Sequence, residues 1–463
     1  MKITDELRGG LLDLLGPDSL LEGEDDLARY GRDETPGLEH LPDLVVRPRT
    51  AGQVGDLLRF ATVRGLPVIP RGAGTGVVGG AIAVDGGIVL SLERMNRIVE
   101  IDEENMMAVV EPAVITGDLQ REAESRGLFY PPDPASLDSC SIGGNVATGA
   151  GGPRAVKYGV TKDYVCGLEV VVPTGETLRF GGKIVKYASG YHLLDLMIGS
   201  EGTLGVITGI TLRLLAFPSH RTNLLVPFDS LEEASRAVAE IIRRRLTPSV
   251  LEFMDRGSLE ASRRFLDREI PFEGAGAHLL VEIDGRSAGE VEAAYETIGE
   301  VCLEGGAEDV LVADTRPAQE KLWETRRVIG EAVKTQNRDV GKQDVVVPRM
   351  AIPELVTRLR EIGEGCGIGI ICFGHAGDGN VHVNMLQGEL DDGTWKESLA
   401  ELYPRILETV YGLGGVLSGE HGIGWLKRDW LARFLPEKHL DLLRGVKKAF
   451  DPAGILNPGK VIR

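Results

Sequence analysis

Cysteine and positive charge are both in short supply in this 463-residue chain, and long apolar runs are missing altogether. The five cysteines, Cys140, Cys166, Cys302, Cys366 and Cys372, are odd in number and nowhere spaced as CxxC, which argues against a disulfide framework or an iron–sulfur cluster. Packed thiols are the expected role, so any redox chemistry needs another cofactor. Lys and Arg number 51 against 70 Asp and Glu, a net charge of −19, which speaks against a nucleic-acid or anionic-membrane surface. Against that background an anionic substrate needs local positive charge, from individual Arg or Lys side chains or a metal. No stretch approaches the ~20 apolar residues of a membrane span, and the start MKITDELRGG lacks the apolar core of a secretory signal. A cytoplasmic address is expected. Internal repeats and low-complexity segments are missing too, and the length leads us to expect two domains.

What is present changes texture along the chain. Leu44 to Val46 reads as a strand, and Thr50 caps a helix whose Val54, Leu57, Leu58 and Ala61 recur at helical spacing. Leu66 to Ile69, Gly87 to Leu90, Ala108 to Glu111, Leu168 to Pro173 and Leu204 to Ile207 read as strands of a mixed sheet rather than an orderly βαβ series. Past Phe217-Pro218, helical patterns over 231–245, 289–305 and 353–365 alternate with strands over 250–254, 279–283, 310–313 and 368–373. That alternation predicts an α+β domain with helices over one sheet face. A helix from Pro436 to Asp451-Pro452 closes the chain.

Two glycine clusters and a third small-residue segment stand out in the first half. Pro70 to Gly80, PRGAGTGVVGG, contains a formal GxGxxG after a strand. A dinucleotide fingerprint requires a helix to open at those glycines, and Ala81 to Leu90 has no helical periodicity and carries Asp85-Gly86-Gly87. A loop whose backbone amides wrap a pyrophosphate fits better, with a plain turn-rich hairpin as the alternative. Ser141 to Gly152, SIGGNVATGAGG, follows Tyr130-Pro131-Pro132-Asp133-Pro134 and reads as a second loop on a long ligand. Gly199 to Thr208, GSEGTLGVIT, places small residues before an apolar strand, where backbone can pair with a flat heterocycle.

The second half concentrates histidine. In Cys372 to Asn384, CFGHAGDGNVHVN, Asp378-Gly379 turns the chain so that His375 and His382 converge and Asn384 shares a strand face with His382. Ser418 to Gly424, SGEHGIG, presents Glu420 and His421 from a glycine-flanked loop. Two histidines and a carboxylate form a common catalytic set for zinc or ferrous iron. Hydrogen-bonded turn histidines are the alternative for the His pair alone.

In combination and in this order, PRGAGTG, PPDP, IGGNVATGAGG, KYGVTKDYV and GSEGTLGVIT resemble the FAD-binding domain of vanillyl-alcohol-oxidase-type flavoproteins. Together with the histidine motifs and the closing Phe450-Asp451-Pro452 and Leu456 to Lys460, the chain from Leu44 to Lys460 resembles the FAD-linked oxidase family of 2-hydroxy-acid dehydrogenases, of glycolate oxidase and D-lactate dehydrogenase type. The resemblance implies an α+β fold: an FAD-binding domain over 1–218, a substrate (cap) domain over 219–415, and a C-terminal helical segment over 416–463 that completes the active site and the FAD domain. It implies that Gly72, Gly74, Thr75 and Gly76 surround the pyrophosphate. Arg71, Asp133, Gly143, Gly144, Asn145, Thr148, Tyr158, Gly159, Glu201, Gly202, Ile207 and Asn457 are implied as further FAD contacts. Gly149 departs from the Asn that many relatives carry. With no His or Cys in the first glycine loop to tether flavin, non-covalent FAD is expected.

For the chemistry, the resemblance implies that His375, His382 and Glu420 hold a divalent metal (zinc, iron or manganese), that His421 is the base, and that Asn384 lies at the substrate. Arg326 in WETRR and Lys342 in GKQDVVVP match segments that grip a substrate carboxylate, with surface charge as the plain alternative. Gly330 stands where the hydroxyglutarate branch carries a hydroxyl, whereas Leu251 to Met254 and Lys183 to Tyr191 resemble the lactate and glycolate branch. The implied reaction takes a small 2-hydroxy-acid anion to the 2-oxo acid. Its electrons pass to a quinone or a protein, an iron–sulfur subunit or an electron-transferring flavoprotein, and any membrane attachment is through that partner. A homo-oligomer is compatible with the sequence. Two other readings stay open at this stage: a flavoprotein relay subunit without its own substrate, and a metal-dependent hydrolase whose glycine loops bind a nucleotide.

Overall fold

The computed structural model describes residues 4–462; residues 1–3, part of the start read above as non-secretory, and residue 463 lie outside it. The chain divides into two compact units, one of Met1–Ala150, Val160–Phe217 and Glu420–Arg463, the other of Gly151–Gly159 and Pro218–Gly419. Among the described residues no helix is long and apolar enough to cross a membrane.

The first unit is built mainly on two sheets, and Leu128–Phe129 pairs with Leu215–Ala216 in a further two-stranded one. Strand β1 (Leu44–Val46) leads to helix α1 (Ala51–Arg64), which starts where Thr50 Oγ1 accepts from Gln53 N at 3.2 Å and stops where Gly65 turns left-handed at φ 64°. The apolar stripe Val54, Leu57, Leu58 and Ala61 is buried, as its spacing predicts. Strands β2 (Val68–Arg71) and β3 (Ile88–Ser91) follow, and β1, β3 and β2 lie side by side in parallel, with Leu20–Leu21 antiparallel on the outer edge of β1. No helix separates β2 from β3, so the glycine run between them is not a dinucleotide fingerprint. The far edge of β2 is paired by the C-terminal tail, with Val68 N on Ile455 O and Asn457 N on Val68 O, both at 2.8 Å.

Strands β4 (Ile98–Asp102), β5 (Met107–Val110), β6 (Val165–Val171), β7 (Thr177–Gly181) and β8 (Val206–Arg213) form a separate antiparallel sheet in the order β4-β5-β8-β6-β7. The single mixed sheet expected from sequence is thus two sheets. Both kinds of strand are short and bounded by the same Gly and Asp-Gly signals, which do not say which strand pairs with which.

The second unit is one seven-stranded antiparallel sheet. Its strands are β9 (His220–Phe228), β10 (Val250–Asp255), β11 (Ala277–Gly285), β12 (Leu311–Ala313), β13 (Val340–Val346), β14 (Gly369–His375) and β15 (Asn380–Leu386), in the order β12-β9-β11-β10-β14-β15-β13. Its helices lie on both faces, not on one as expected. On one side Leu259, Leu322, Trp323 and Ile329 from helices over Arg256–Leu266, Arg316–Arg327 and Ile329–Thr335 pack on Leu225, Met254, Leu280 and Phe373. On the other, Gly285 sits against Val291 of the helix Ala288–Glu304 and Gly363 of the helix Ile352–Gly365 sits against Ile370. The sign of this in sequence is that β10 and β11 are buried at every position, so their apolar pattern does not alternate.

Cross-strand partners share a face, and the register sorts the chemistry onto one of them. Glu252 pairs with His375, Phe373 with His382, His382 with Asp344, and Asn384 with Lys342. The opposite face carries Leu251, Phe253, Cys372, Val381, Val383 and Val345.

One buried histidine on the polar face sets a pH dependence. His278 Nε2 meets Pro271 O at 3.0 Å, its Nδ1 has no hydrogen-bond partner among the described residues, and burial lowers its pKa from 6.5 to about 4. Between those values the unfolded chain holds a proton that the folded one lacks, so folding stability is full above pH 6.5 and falls by about 3 kcal/mol as pH drops to 4. Urea midpoints across this interval should have a steeper pH slope for the wild type than for His278→Leu. Equal slopes would remove the assignment.

Candidate active site

The three glycine-rich segments of the first unit meet at a cavity of about 690 Å3, within the usual range of small-molecule sites, about 300–1,000 Å3. Arg71, Gly72, Gly74, Thr75 and Gly76 line it from the loop after β2. Gly143, Gly144, Asn145 and Thr148 come from the second cluster, and Glu201, Gly202 and Ile207 from the segment entering β8. Glu420 and His421, which open the C-terminal segment, line it as well, their side chains 3.8 Å apart.

Local chemistry explains each segment. Gly74 has φ 76°, and a side chain at Gly72 would place its Cβ 2.6 Å from Ser141 Oγ. That hydroxyl caps the helix Ile142–Thr148 by accepting from Gly144 N at 3.3 Å, so only glycine lets the loop approach the helix start. The second cluster is therefore a seven-residue helix rather than a loop. Gly149 ends it at φ 70°, a left-handed position that Asn also tolerates. Arg71 is buried with its guanidinium 5.7 Å from the Tyr30 ring, and burial lowers its pKa.

Glu201 is left-handed at φ 51° and fully enclosed, with its carboxylate accepting from Ile423 N at 2.7 Å and Gly424 N at 2.8 Å. Burial pushes its pKa up to about 6, against the pull of those amides and of Lys427 and Lys460. Asn457 Nδ2 donates to Gly80 O and Glu201 O at 3.0 and 2.8 Å, and Lys460 Nζ to Ile82 O at 2.6 Å. Burial depresses the Lys460 ammonium to about 8. The closing Asn-Pro-Gly-Lys thus stitches the cavity segments together, and Asn457 does so from outside the lining.

Asp133, Tyr158 and Gly159 also lie outside the lining. Tyr158 and Gly159 belong to the second unit, where Tyr158 donates its hydroxyl to Asp284 Oδ2 at 2.7 Å and Gly159 ends a short helix at φ 79°. Sequence reading missed Asp33 to Thr35. Thr35 Oγ1 accepts from Gly79 N at 2.6 Å and Glu34 N donates to Gly76 O at 2.9 Å, which props the first loop. The Asx turn, Thr35 N on Asp33 Oδ1 at 2.9 Å, was the available signal ahead of Pro36-Gly37.

The polar face of the second unit holds the other predicted residues. The hairpin of β14 and β15 places the His375 and His382 rings 5.2 Å apart. His375 Nδ1 is bound to Glu252, and Glu252 Oε2 accepts from Arg326 Nε at 2.7 Å and Nη2 at 2.6 Å. Burial raises the Glu252 pKa, but the charges of His375 and Arg326 outweigh it and hold the carboxyl below its ordinary value. Arg326 is itself buried, 4.6 Å from the Phe373 ring centre. His382 Nδ1 is 3.8 Å from the buried Asp344, whose carboxylate accepts from Asn380 Nδ2 at 2.6 Å, Ser418 Oγ at 3.2 Å and Gly419 N at 3.0 Å. Lys342 is half-buried beside Asn384, and Asn384 is buried with no partner for its Nδ2 among the described residues. Such an orphan donor in a buried polar cluster marks a place for a ligand oxygen. Two imidazoles, each with a carboxylate behind its Nδ1, are the donor set that suits a divalent metal. Glu252 and Asp344 were not singled out from sequence; for Glu252 the available signal was a lone carboxylate inside the apolar run Val250 to Met254.

Comparison with known proteins matches two family models along the chain. Residues 217–461 match the model of the FAD linked oxidases, C-terminal domain, and residues 42–181 that of the FAD binding domain. The chain is 39% identical to a D-lactate dehydrogenase of Anaerostipes hadrus, over 94% of this chain and 91% of that protein. It is 38% identical to the glycolate oxidase subunit GlcD of Bacillus subtilis, over 99% and 97%. Among solved structures, p-cresol methylhydroxylase with substrate bound superposes with a TM-score of 0.82 at 19% identity, over 99% of this chain and 97% of that one. The fold is the α+β arrangement of vanillyl-alcohol-oxidase-type FAD enzymes, and the chain belongs to the FAD-linked oxidase family as an FAD-dependent oxidoreductase.

Proposed function

We propose that this chain oxidises a small 2-hydroxy acid, D-lactate or glycolate in preference, to the 2-oxo acid. The observation that carries the reading is the register of the seven-stranded sheet, which gathers His375, His382, Asn384 and Lys342 on one face. The names of the similar D-lactate dehydrogenase and glycolate oxidase subunit favour the same substrate class.

His375, His382 and Glu420 hold a divalent metal, zinc, iron or manganese. Gly419, the residue before Glu420, is anchored on Asp344. A bound cation lowers the pKa of coordinated water from about 16 to about 7 and acts on a ligated hydroxyl in the same sense. Lys342 and the guanidinium edge of Arg326 not engaged by Glu252 take the substrate carboxylate, and Asn384 Nδ2 donates to a substrate oxygen. His421, on the wall of the cavity that takes FAD, removes the hydroxyl proton. FAD would supply the acceptor for the hydride leaving C2. The glycine-lined cavity holds it without a covalent link. The electrons then pass to a protein partner, an iron–sulfur subunit or an electron-transferring flavoprotein, or to a quinone, in the cytoplasm or at a membrane reached through that partner.

Anaerobic absorbance of the yellow protein against D-lactate, L-lactate, glycolate and D-2-hydroxyglutarate tests this. Bleaching by one of the first three acids is expected, with weaker bleaching by the dicarboxylate. Yellow protein unbleached by all four would point to a relay subunit, and colourless protein after FAD addition to a hydrolase.

A further inference from the structure

The buried carboxylate of Glu252 serves two groups with different jobs. Its Oε1 binds His375 Nδ1, and its Oε2 takes both Nε and Nη2 of Arg326. It sits on β10 directly opposite His375 on β14, in a strand whose six residues are all buried. Among the described residues the hydrogen bonds and ion pairs of that carboxylate go to these two side chains.

From this we infer that Glu252 is a positioning residue that couples the metal to the substrate carboxylate: one oxygen fixes which nitrogen His375 offers, and the other fixes the plane of Arg326. The inference rests on the metal and substrate roles proposed above for His375 and Arg326. With Nδ1 held by the carboxylate, Nε2 is the nitrogen His375 turns to a ligand, and the bond raises its donor strength. With Nε and Nη2 occupied, the guanidinium is locked in one plane and meets an incoming carboxylate already oriented. A glutamine cannot replace it, because its single oxygen can serve only one partner and its amide then faces a second donor.

The test compares Glu252→Gln with the wild type in two readings: the Kd for Zn2+ added to chelator-treated, FAD-loaded protein, and KM against kcat for the substrate found by bleaching. The metal Kd should rise about 10–100-fold and KM should rise with it, while FAD stoichiometry stays at the wild-type value. Glu252→Asp keeps the charge but shortens the reach, and should fall between the two; it carries the test if the glutamine variant fails to fold. In a His375→Ala background, Glu252→Gln should add nothing further to the loss of metal affinity, whereas a merely structural role would add its full effect. A variant with wild-type metal Kd, or effects that add in the double variant, would overturn the coupling alone. Wild type that binds no Zn2+ at all would overturn the metal reading and this inference with it.

Discussion

His421→Ala lowers the anaerobic rate of flavin reduction by about 10²–10⁴-fold, the usual contribution of a positioned general base, and leaves FAD bound. The first half of that expectation follows from place and chemistry. His421 lines the FAD cavity beside Glu420, and an imidazole is the side chain whose proton affinity suits proton removal near neutral pH. The second half follows from what builds the cavity. Its walls are set mainly by the loop after β2, the capped helix Ile142–Thr148 and the Glu201 segment, whose backbone and glycines supply most of the lining. Stopped-flow absorbance with the acid that bleaches the wild type checks the rate, and the ratio of flavin to protein absorbance checks the binding. Wild-type bleaching in the variant would take the base role away from His421, and loss of FAD would make His421 part of the cofactor cradle instead.

Gly143→Ala is expected to yield protein that holds FAD about 10–100-fold more weakly, because one added methyl group has no room. Gly143 N donates to Pro112 O at 2.7 Å, and a Cβ at Gly143 would lie 2.8 Å from the same oxygen and 2.6 Å from Pro112 Cβ. Both partners are backbone or ring atoms that cannot rotate away, so the helix Ile142–Thr148 has to shift off Pro112. Overpacking of this kind costs about 1–3 kcal/mol, and here the displaced element is one that lines the cavity. Each 1.4 kcal/mol is a factor of ten in Kd. Fluorescence titration of apoprotein with FAD measures it, and an unchanged Kd would mean that the helix start does not shape the FAD site.

Much of the architecture could be read from residues alone because it is written in local rules. Thr50 caps its helix and Gly65 ends it, the helices over Leu231–Arg243 and Glu437–Phe450 lie where their periodicity puts them, and the Asp378-Gly379 turn brings His375 and His382 together. The glycines that line the cavity of the first unit could be picked out from sequence, and at Gly143 the close approach to Pro112 leaves no room for a side chain. What escaped is long-range. Whether two short strands share a sheet depends on partners far along the chain, which is why one mixed sheet was expected where those strands form two. Helices on both faces of β10 and β11 remove the alternation that would have told inside from outside, and so concealed Glu252 within a run that reads as core. Glu252 and Arg326 are 74 residues apart, and no spacing rule joins them.

The central proposal is that oxidation of the substrate by the FAD of this chain needs a bound divalent metal. It is tested most directly by single-turnover reduction with the bleaching acid on protein stripped of metal but loaded with FAD. The account predicts that bleaching disappears on chelation, that the flavin spectrum of the resting protein does not change, and that about one equivalent of divalent metal restores the rate. Full-rate bleaching by metal-free protein would contradict it.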